Sequence, residues 1–177
     1  MPSLWLLKTE PTAFSLDDLA RAPDQATSWD GIRSAEARNL MRDRFAVGDR
    51  AFLYHSNAEP SAIVAIVEVI GAARPDPTQF EPKDVHFDPK STRAAPTWLM
   101  VDVKLTERLA QPVTLAQVKA DPLLQKMGLV TRNRLSVSPV TPAEWTRVLQ
   151  LANGSTKGSA TGAAVRAART PASRSRR

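Results

Sequence analysis

Three aromatic side chains stand beside short polar ones in a pattern suited to holding a flat heterocycle. Trp29 lies in the segment Ser28-Trp29-Asp30-Gly31, Tyr54 is followed by Ser56 and Asn57, and Trp98 closes a long proline-rich stretch. An aromatic face can stack on a nucleobase, a contact worth about 1–3 kcal/mol per base. Amide, hydroxyl and carboxylate groups around it can read the edge of the base, as recognition of an extruded base in a snug pocket requires. The same tryptophans also fit a plain core role, because indoles are mostly buried in folded proteins. Arginines for phosphate contact are at hand: Arg33 and Arg38 near a helix start, and Arg132 and Arg134 ahead of Ser136. Arg33 and Arg38 fit solvated helix-end charges equally well.

Reaction chemistry finds fewer footholds. The chain has no cysteine, which excludes a thiol nucleophile, a thiolate metal site and a disulfide framework. Its two histidines, His55 and His86, are far apart in sequence, and no HExxH, nucleophile elbow or phosphate-binding glycine loop is present. No metal and no cofactor is expected. His55 and Glu10 are the acid–base candidates, yet neither has an orienting partner in the sequence. A histidine hydrogen-bonded at a strand end is the plainer reading of His55. The expectation is a binding module, not an enzyme.

The charge of +6 is unevenly placed. Residues 155–177 carry six of the 24 basic residues and none of the 18 acidic ones, leaving 18 of each sign in residues 1–154. A neutral body holds nucleic acid through a local patch or pocket, not through bulk charge. The tail is rich in Ser, Thr, Ala, Gly and Arg, with one valine and no aromatic residue, too little apolar surface to order itself. The expected organisation is one folded domain over 1–153 and a disordered basic tail over 154–177. No apolar run approaches the roughly 20 residues that a membrane-spanning helix needs, and Leu4–Leu7 is too short for a signal segment. A soluble, cytoplasmic, monomeric protein without a membrane partner is expected.

The elements that must position the candidate residues follow from periodicity and punctuation. Strands are expected at Leu4–Lys8, Arg50–His55, Ala62–Ala73, Trp98–Thr106 and Leu135–Val137. Helices are expected after Ser15, after Ser34 over Ala35–Phe45, after Thr114, and from the capping box Thr141-Pro142-Ala143-Glu144 through Leu151. Ser28–Gly31 reads as a turn. Residues 74–97 read as a long loop without regular structure, a feature that is usually functional or disordered. Strands with interspersed short helices, lacking regular β-α alternation, indicate an α+β fold: a small mixed barrel flanked by helices.

Successive blocks of the chain resemble a known family. LWLLKTEPTAFSLDDL, SWDGIRSAEARNLMRD, VGDRAFLYHSN, IVAIVEVI, DPTQFEPKDVHFDPKS, WLMVDVK and RLSVSPVTPAEW look like the ordered blocks of EVE-domain proteins, from about Leu4 to Leu151. The resemblance implies a PUA-like pseudo-barrel, related to the PUA, ASCH and YTH domains. It also implies recognition of a modified base, notably a 5-substituted cytosine in DNA ahead of RNA, without its conversion. By matching blocks, Lys8 and Glu10 fall in the family's K-S-E-P stretch, here K-T-E-P. Trp29, Asp30, Gly31 and Arg33 fall in W-D-G-V-R, here with Ile32. Tyr54, His55, Ser56 and Asn57 fall in Y-H-S-N, Trp98 and Asp102 around the V-D-V strand, and Arg134, Leu135 and Ser136 in R-L-S-V. The implied base-binding set is Lys8, Trp29, Asp30, Gly31, Tyr54, Ser56, Asn57, Trp98 and Ser136, with Arg33, Arg38 and Arg134 on phosphate. Ser34-Ala35 replaces an asparagine and an aromatic residue common in the family, so contacts there are expected to differ.

Overall fold

The run Leu4–Thr9 forms β1 in a computed structural model, which describes residues 1–154. This strand is apolar without alternation because both of its faces are covered. Trp5 and Leu7 enter one core cluster and Leu6 the other, as side chains alternate across a strand. β1 pairs in parallel with β3 (Arg50–His55) and antiparallel with the short β7 (Val137–Pro139). β3 pairs with β4 (Ala62–Val69), and β4 with the long β6 (Leu99–Thr114). β6 pairs in turn with β2 (Ala26–Trp29) and, at its start, with β5 (Arg74–Pro75).

The result is a seven-stranded mixed sheet with the order β2-β6-β4-β3-β1-β7. It curls without closing: among the described residues β2 and β7 do not pair with each other. Register shifts in the β3–β4 and β4–β6 pairings supply local bends, as bulges do.

Five helices lie around the sheet. α1 (Leu16–Arg21), α3 (Leu115–Ala120) and α5 (Pro142–Ala152) open on capping boxes formed by Ser15 with Asp18, Thr114 with Gln117, and Thr141 with Glu144. α2 (Ala35–Arg44) is capped by the Ser34 hydroxyl. α1 and α2 pack on the cluster of Trp5, Leu7, Trp29 and Leu53. α3, α5 and the single turn α4 (Gly128–Thr131) pack on the other, around Leu6, Phe52 and Trp145. Among the described residues no helix is long and apolar enough to cross a membrane.

Several elements differ from the expectations above. β4 ends at Val69, four residues before the expected Ala73, and the loop read as irregular holds β5 and a 3-10 turn at Pro77–Phe80. Ser28 and Trp29, read as part of a turn, lie in β2, because antiparallel pairing with Val101 and Asp102 outweighs local turn chemistry. β6 runs to Thr114, beyond the expected Thr106. Its exposed Glu107 and Arg108 hide the alternation while the ladder with β4 continues. The last strand begins two residues later than expected, at Val137.

The proline-rich loop is ordered by polar side chains. Gln79 is fully buried. Its amide donates to the carbonyls of Asp76 and Trp98, and its oxygen accepts from Ser91 Oγ and from the amides of Thr97 and Trp98. One side chain thus joins the two ends of the loop to its middle. Gln79→Leu keeps the volume and leaves these buried groups unpaired. Each costs about 1–3 kcal/mol, so urea unfolding is expected to show a loss of about 3 kcal/mol or more.

Candidate nucleic-acid interface

The open side of the sheet holds a cavity of about 530 Å3, within the roughly 300–1,000 Å3 of ligand pockets. One wall comes from the end of β1, with Lys8, Thr9 and Glu10, and from Ser136 ahead of β7. The facing wall comes from β2 and the turn after it, Thr27 to Arg33. The cavity therefore occupies the gap between the two ends of the strand order. Lys8 N donates to the Ser136 carbonyl at 2.9 Å, which joins the first wall into one surface.

The long loop contributes His86 to the cavity, a residue to which sequence reasoning assigned no role. Its imidazole rests on Gly31: a Cβ there would lie 2.9 Å from Cε1 and Nε2. Gly31 also has φ of +72°, so this glycine satisfies both a left-handed turn and a close approach. The loop is clamped to this turn by Asp76, which is fully buried. Asp76 accepts from Gly31 N at 3.0 Å, Arg33 Nη1 at 2.8 Å, Thr78 N at 2.8 Å and Thr78 Oγ1 at 2.6 Å. Burial alone would raise its carboxyl. Hydrogen bonds from Thr78, Arg33 and Gly31 outweigh that and hold it below the ordinary aspartate value. The only sequence sign of this clamp was an aspartate between two prolines.

Arg33 is consumed by the same clamp. Its N–H groups reach the Ile32 carbonyl, Asp76, Thr78 Oγ1 and, twice, the His86 carbonyl. That uses all five donors of a guanidinium, so Arg33 shapes the cavity and has none to spare for phosphate. Arg38 donates to Asn39, and both guanidiniums lie about 5.5 Å from the Trp98 ring. Trp98 stands outside the cavity, with its indole N–H on Asp88, and braces the loop.

The candidate residues separate into four groups. Lys8, Trp29, Asp30, Gly31 and Ser136 line the cavity, with Arg33 behind them. Tyr54 points to the opposite core cluster. Ser56 and Asn57 brace the first wall from outside: Ser56 N donates to the Thr9 carbonyl and Asn57 Nδ2 to Glu10 Oε1 at 2.6 Å. Arg134 lies in a neighbouring groove of about 290 Å3, beside Ser34 and the Arg132–Glu36 ion pair. Lys8 connects the two hollows by donating to the Asn133 carbonyl at 2.8 Å.

Trp29 is only 6% exposed and belongs to a core cluster while also lining the cavity. It is a fixed wall whose position the core sets. Burial lowers the Lys8 ammonium below its ordinary value. Asp30, at the rim, is raised by burial first and by the Asp76 carboxylate second, with His86 opposing. His55 Nε2 accepts from Leu16 N at 3.1 Å, so this acid–base candidate is spent on holding α1. No group of three or more metal-ligating side chains occurs among the described residues.

The family model for the EVE domain matches residues 3–151. This chain belongs to the EVE-domain family. Thymocyte nuclear protein 1 of Danio rerio is 40% identical over 168 residues, covering 85% of this chain and 72% of that protein. The Homo sapiens protein of the same name is 38% identical, with 85% and 74% covered. Two solved structures share the fold along nearly their whole length. A hypothetical protein from Leishmania major has a TM-score of 0.82 at 39% identity, covering 89% of this chain and 98% of that one. Human THYN1 in complex with DNA containing 5-methylcytosine has a TM-score of 0.81 at 38% identity, covering 85% and 97%.

Two outcomes test the EVE cavity as a built structure. Gly31→Ala places a Cβ against His86 in a left-handed conformation. It is expected to cost about 1–3 kcal/mol in thermal unfolding and to shift the His86 imidazole resonances. Asp76 has a lowered carboxyl value in the folded state. Its contribution is therefore complete above the unfolded value of 3.8 and disappears as pH falls through the lower folded one. Asp76→Asn is expected to be less stable by about 3 kcal/mol at neutral pH and to lose this part of the acid dependence in a pH series of melts.

Proposed function

We propose that this protein is a DNA-binding EVE domain that receives an extruded modified base, 5-methylcytosine or another 5-substituted cytosine, in the cavity behind Trp29. The observation that carries this reading is the cavity itself, polar at its rim and walled by a tryptophan that the core immobilises. A close relative in complex with DNA containing 5-methylcytosine supports the ligand class. A pocket set before the ligand arrives spends little binding energy on ordering. Trp29 and Phe14 supply apolar wall, while Asp30 and Ser136 face the edge of the base. Arg134, in the neighbouring groove beside the Arg132–Glu36 pair, is our candidate for contact with a flanking phosphate. The basic residues of 155–177 lie outside the described residues, and we assign them salt-sensitive, non-specific attraction to phosphate.

The reading is one of binding without conversion. The two acid–base candidates are engaged by the fold, His55 by α1 and Glu10 by Asn57.

A fluorescence-anisotropy titration at near-physiological salt tests it, with matched duplexes carrying cytosine, 5-methylcytosine or 5-hydroxymethylcytosine at one position. Tighter binding to a modified duplex is expected. Ser136→Phe, which fills the cavity from its half-buried wall, is expected to remove that preference while leaving the weaker salt-sensitive binding. Equal affinity for all three duplexes sinks the base-reader reading. Preference for a matched RNA would move the ligand class to RNA.

A further inference from the structure

A pocket that receives 5-methylcytosine faces a competitor that shape does not remove. Thymine has a ring of the same size and the same 5-methyl group, and is abundant in DNA. The two differ along one edge: cytosine presents an exocyclic amine at C4, thymine a carbonyl oxygen. Apolar contact with the methyl cannot separate them. A site that hydrogen-bonds one group and leaves its own polar atoms unpaired against the other can do so strongly.

Most polar groups around the cavity are already engaged. Glu10 accepts from Asn57, Lys8 donates to the Asn133 carbonyl, Ser28 donates to Asp102, and Arg33 has spent its donors. The Ser136 hydroxyl can donate or accept and does not discriminate. Two acceptors stand apart. Among the described residues, the Asp30 carboxylate engages only its own backbone amide. His86 has Nδ1 3.1 Å from Asp84 Oδ1, an oxygen that also accepts the His86 amide at 2.8 Å. A carboxylate only accepts, so in the neutral ring the proton sits on Nδ1 and Nε2 keeps its lone pair. The Arg33 clamp on the His86 carbonyl and the bare Cα of Gly31 beneath the ring fix this imidazole over the residue that follows Asp30, and both side chains line the same cavity.

We propose that Asp30 and His86 Nε2 form a pair of hydrogen-bond acceptors that selects a base carrying an exocyclic amine, and thereby separates a 5-substituted cytosine from thymine. The proposal rests on reading the cavity as a base pocket. The two N–H bonds of the amine match the two acceptors. A carbonyl oxygen in the same place sets its lone pairs against theirs and leaves both acceptors desolvated and unpaired. Gly31 then has a chemical role besides its turn. Any side chain there displaces one acceptor of the pair.

The test uses the full-length protein and duplexes in which cytosine, 5-methylcytosine or thymine lies opposite an abasic site, so that base pairing does not enter the comparison. Wild type is expected to bind 5-methylcytosine at least about tenfold more tightly than thymine, since one hydrogen bond is worth about a tenfold change. Two variants change one member of the pair each while keeping shape: His86→Phe removes an acceptor, and Asp30→Asn turns a group that only accepts into one that can also donate to a thymine carbonyl. Each is expected to lower the 5-methylcytosine-to-thymine ratio about fivefold or more. Each should leave the 5-methylcytosine-to-cytosine ratio, which reports the methyl group, unchanged. Asp30 is exposed at the rim, so its variant carries the test even where His86→Phe perturbs the loop. An unchanged thymine ratio in a folded Asp30→Asn protein overturns the acceptor pair. So does a wild type that prefers 5-methylcytosine to cytosine but not to thymine, and that result leaves the base-reader reading standing. A wild type indifferent among all three bases overturns the reading and the pair together.

Discussion

The Asp76 carboxylate is a buried charge, and such a group survives in a fold only when its lone pairs are met by donors. Here the donors come from two remote parts of the chain: Gly31 and Arg33 in the turn after β2, and Thr78 in the loop before β6. The clamp that relieves the charge therefore docks the long loop against the turn that walls the cavity. Arg33 carries the connection onward to the His86 carbonyl, and His86 closes onto Gly31. With the carboxylate neutral or absent, Arg33 loses its counter-charge, the loop loses an anchor, and the cavity loses one side.

The sheet supplies the other constraint. It curls far enough to bring β2 opposite the β1–β7 side yet leaves the two ends unpaired. An open sheet edge is a hazard, since unpaired backbone groups invite another strand. Both end strands are short, four residues in β2 and three in β7, which limits that risk. The space between them is lined by polar side chains and one immobilised indole, so the opening of the pseudo-barrel becomes a receptacle. Because Trp29 belongs to the core cluster that also holds Trp5 and Leu53, the stability of the domain and the form of the cavity depend on the same packing.

Electrostatics divide between selectivity and attraction. Residues 1–154 contain as many acidic as basic side chains, and several arginines are neutralised within the fold, including Arg33 by Asp76 and Arg132 by Glu36. A surface of that kind draws a polyanion weakly at long range. In the function proposed here, the cavity decides which base is held, and the excess positive charge of residues 155–177 adds affinity without discrimination.

The sequence by itself determined the strands β1, β3 and β4, every helix but the single turn α4, the caps that start them, and membership of the EVE-domain family. These features rest on local rules: periodicity, capping chemistry and ordered blocks of residues. It also singled out Lys8, Trp29, Asp30, Gly31 and Ser136, which the fold brings around one cavity. Only the tertiary structure decided the rest. β2 exists because β6 lies beside it, against a local preference for a turn. Tyr54 faces away from the cavity because Phe52 and Tyr54 share the strand face that packs under α5, while Ser56 and Asn57 act as braces on the strand next door. Arg33 resembles a phosphate contact in sequence and is a clamp in the fold, because a buried aspartate 43 residues away claims it. His86 reaches the cavity through contacts no local pattern records: a carbonyl held by Arg33 and a glycine without a side chain beneath its ring. Whether a polar side chain is free to meet a ligand depends on which distant partners have already taken its hydrogen bonds, and folding alone distributes those partners.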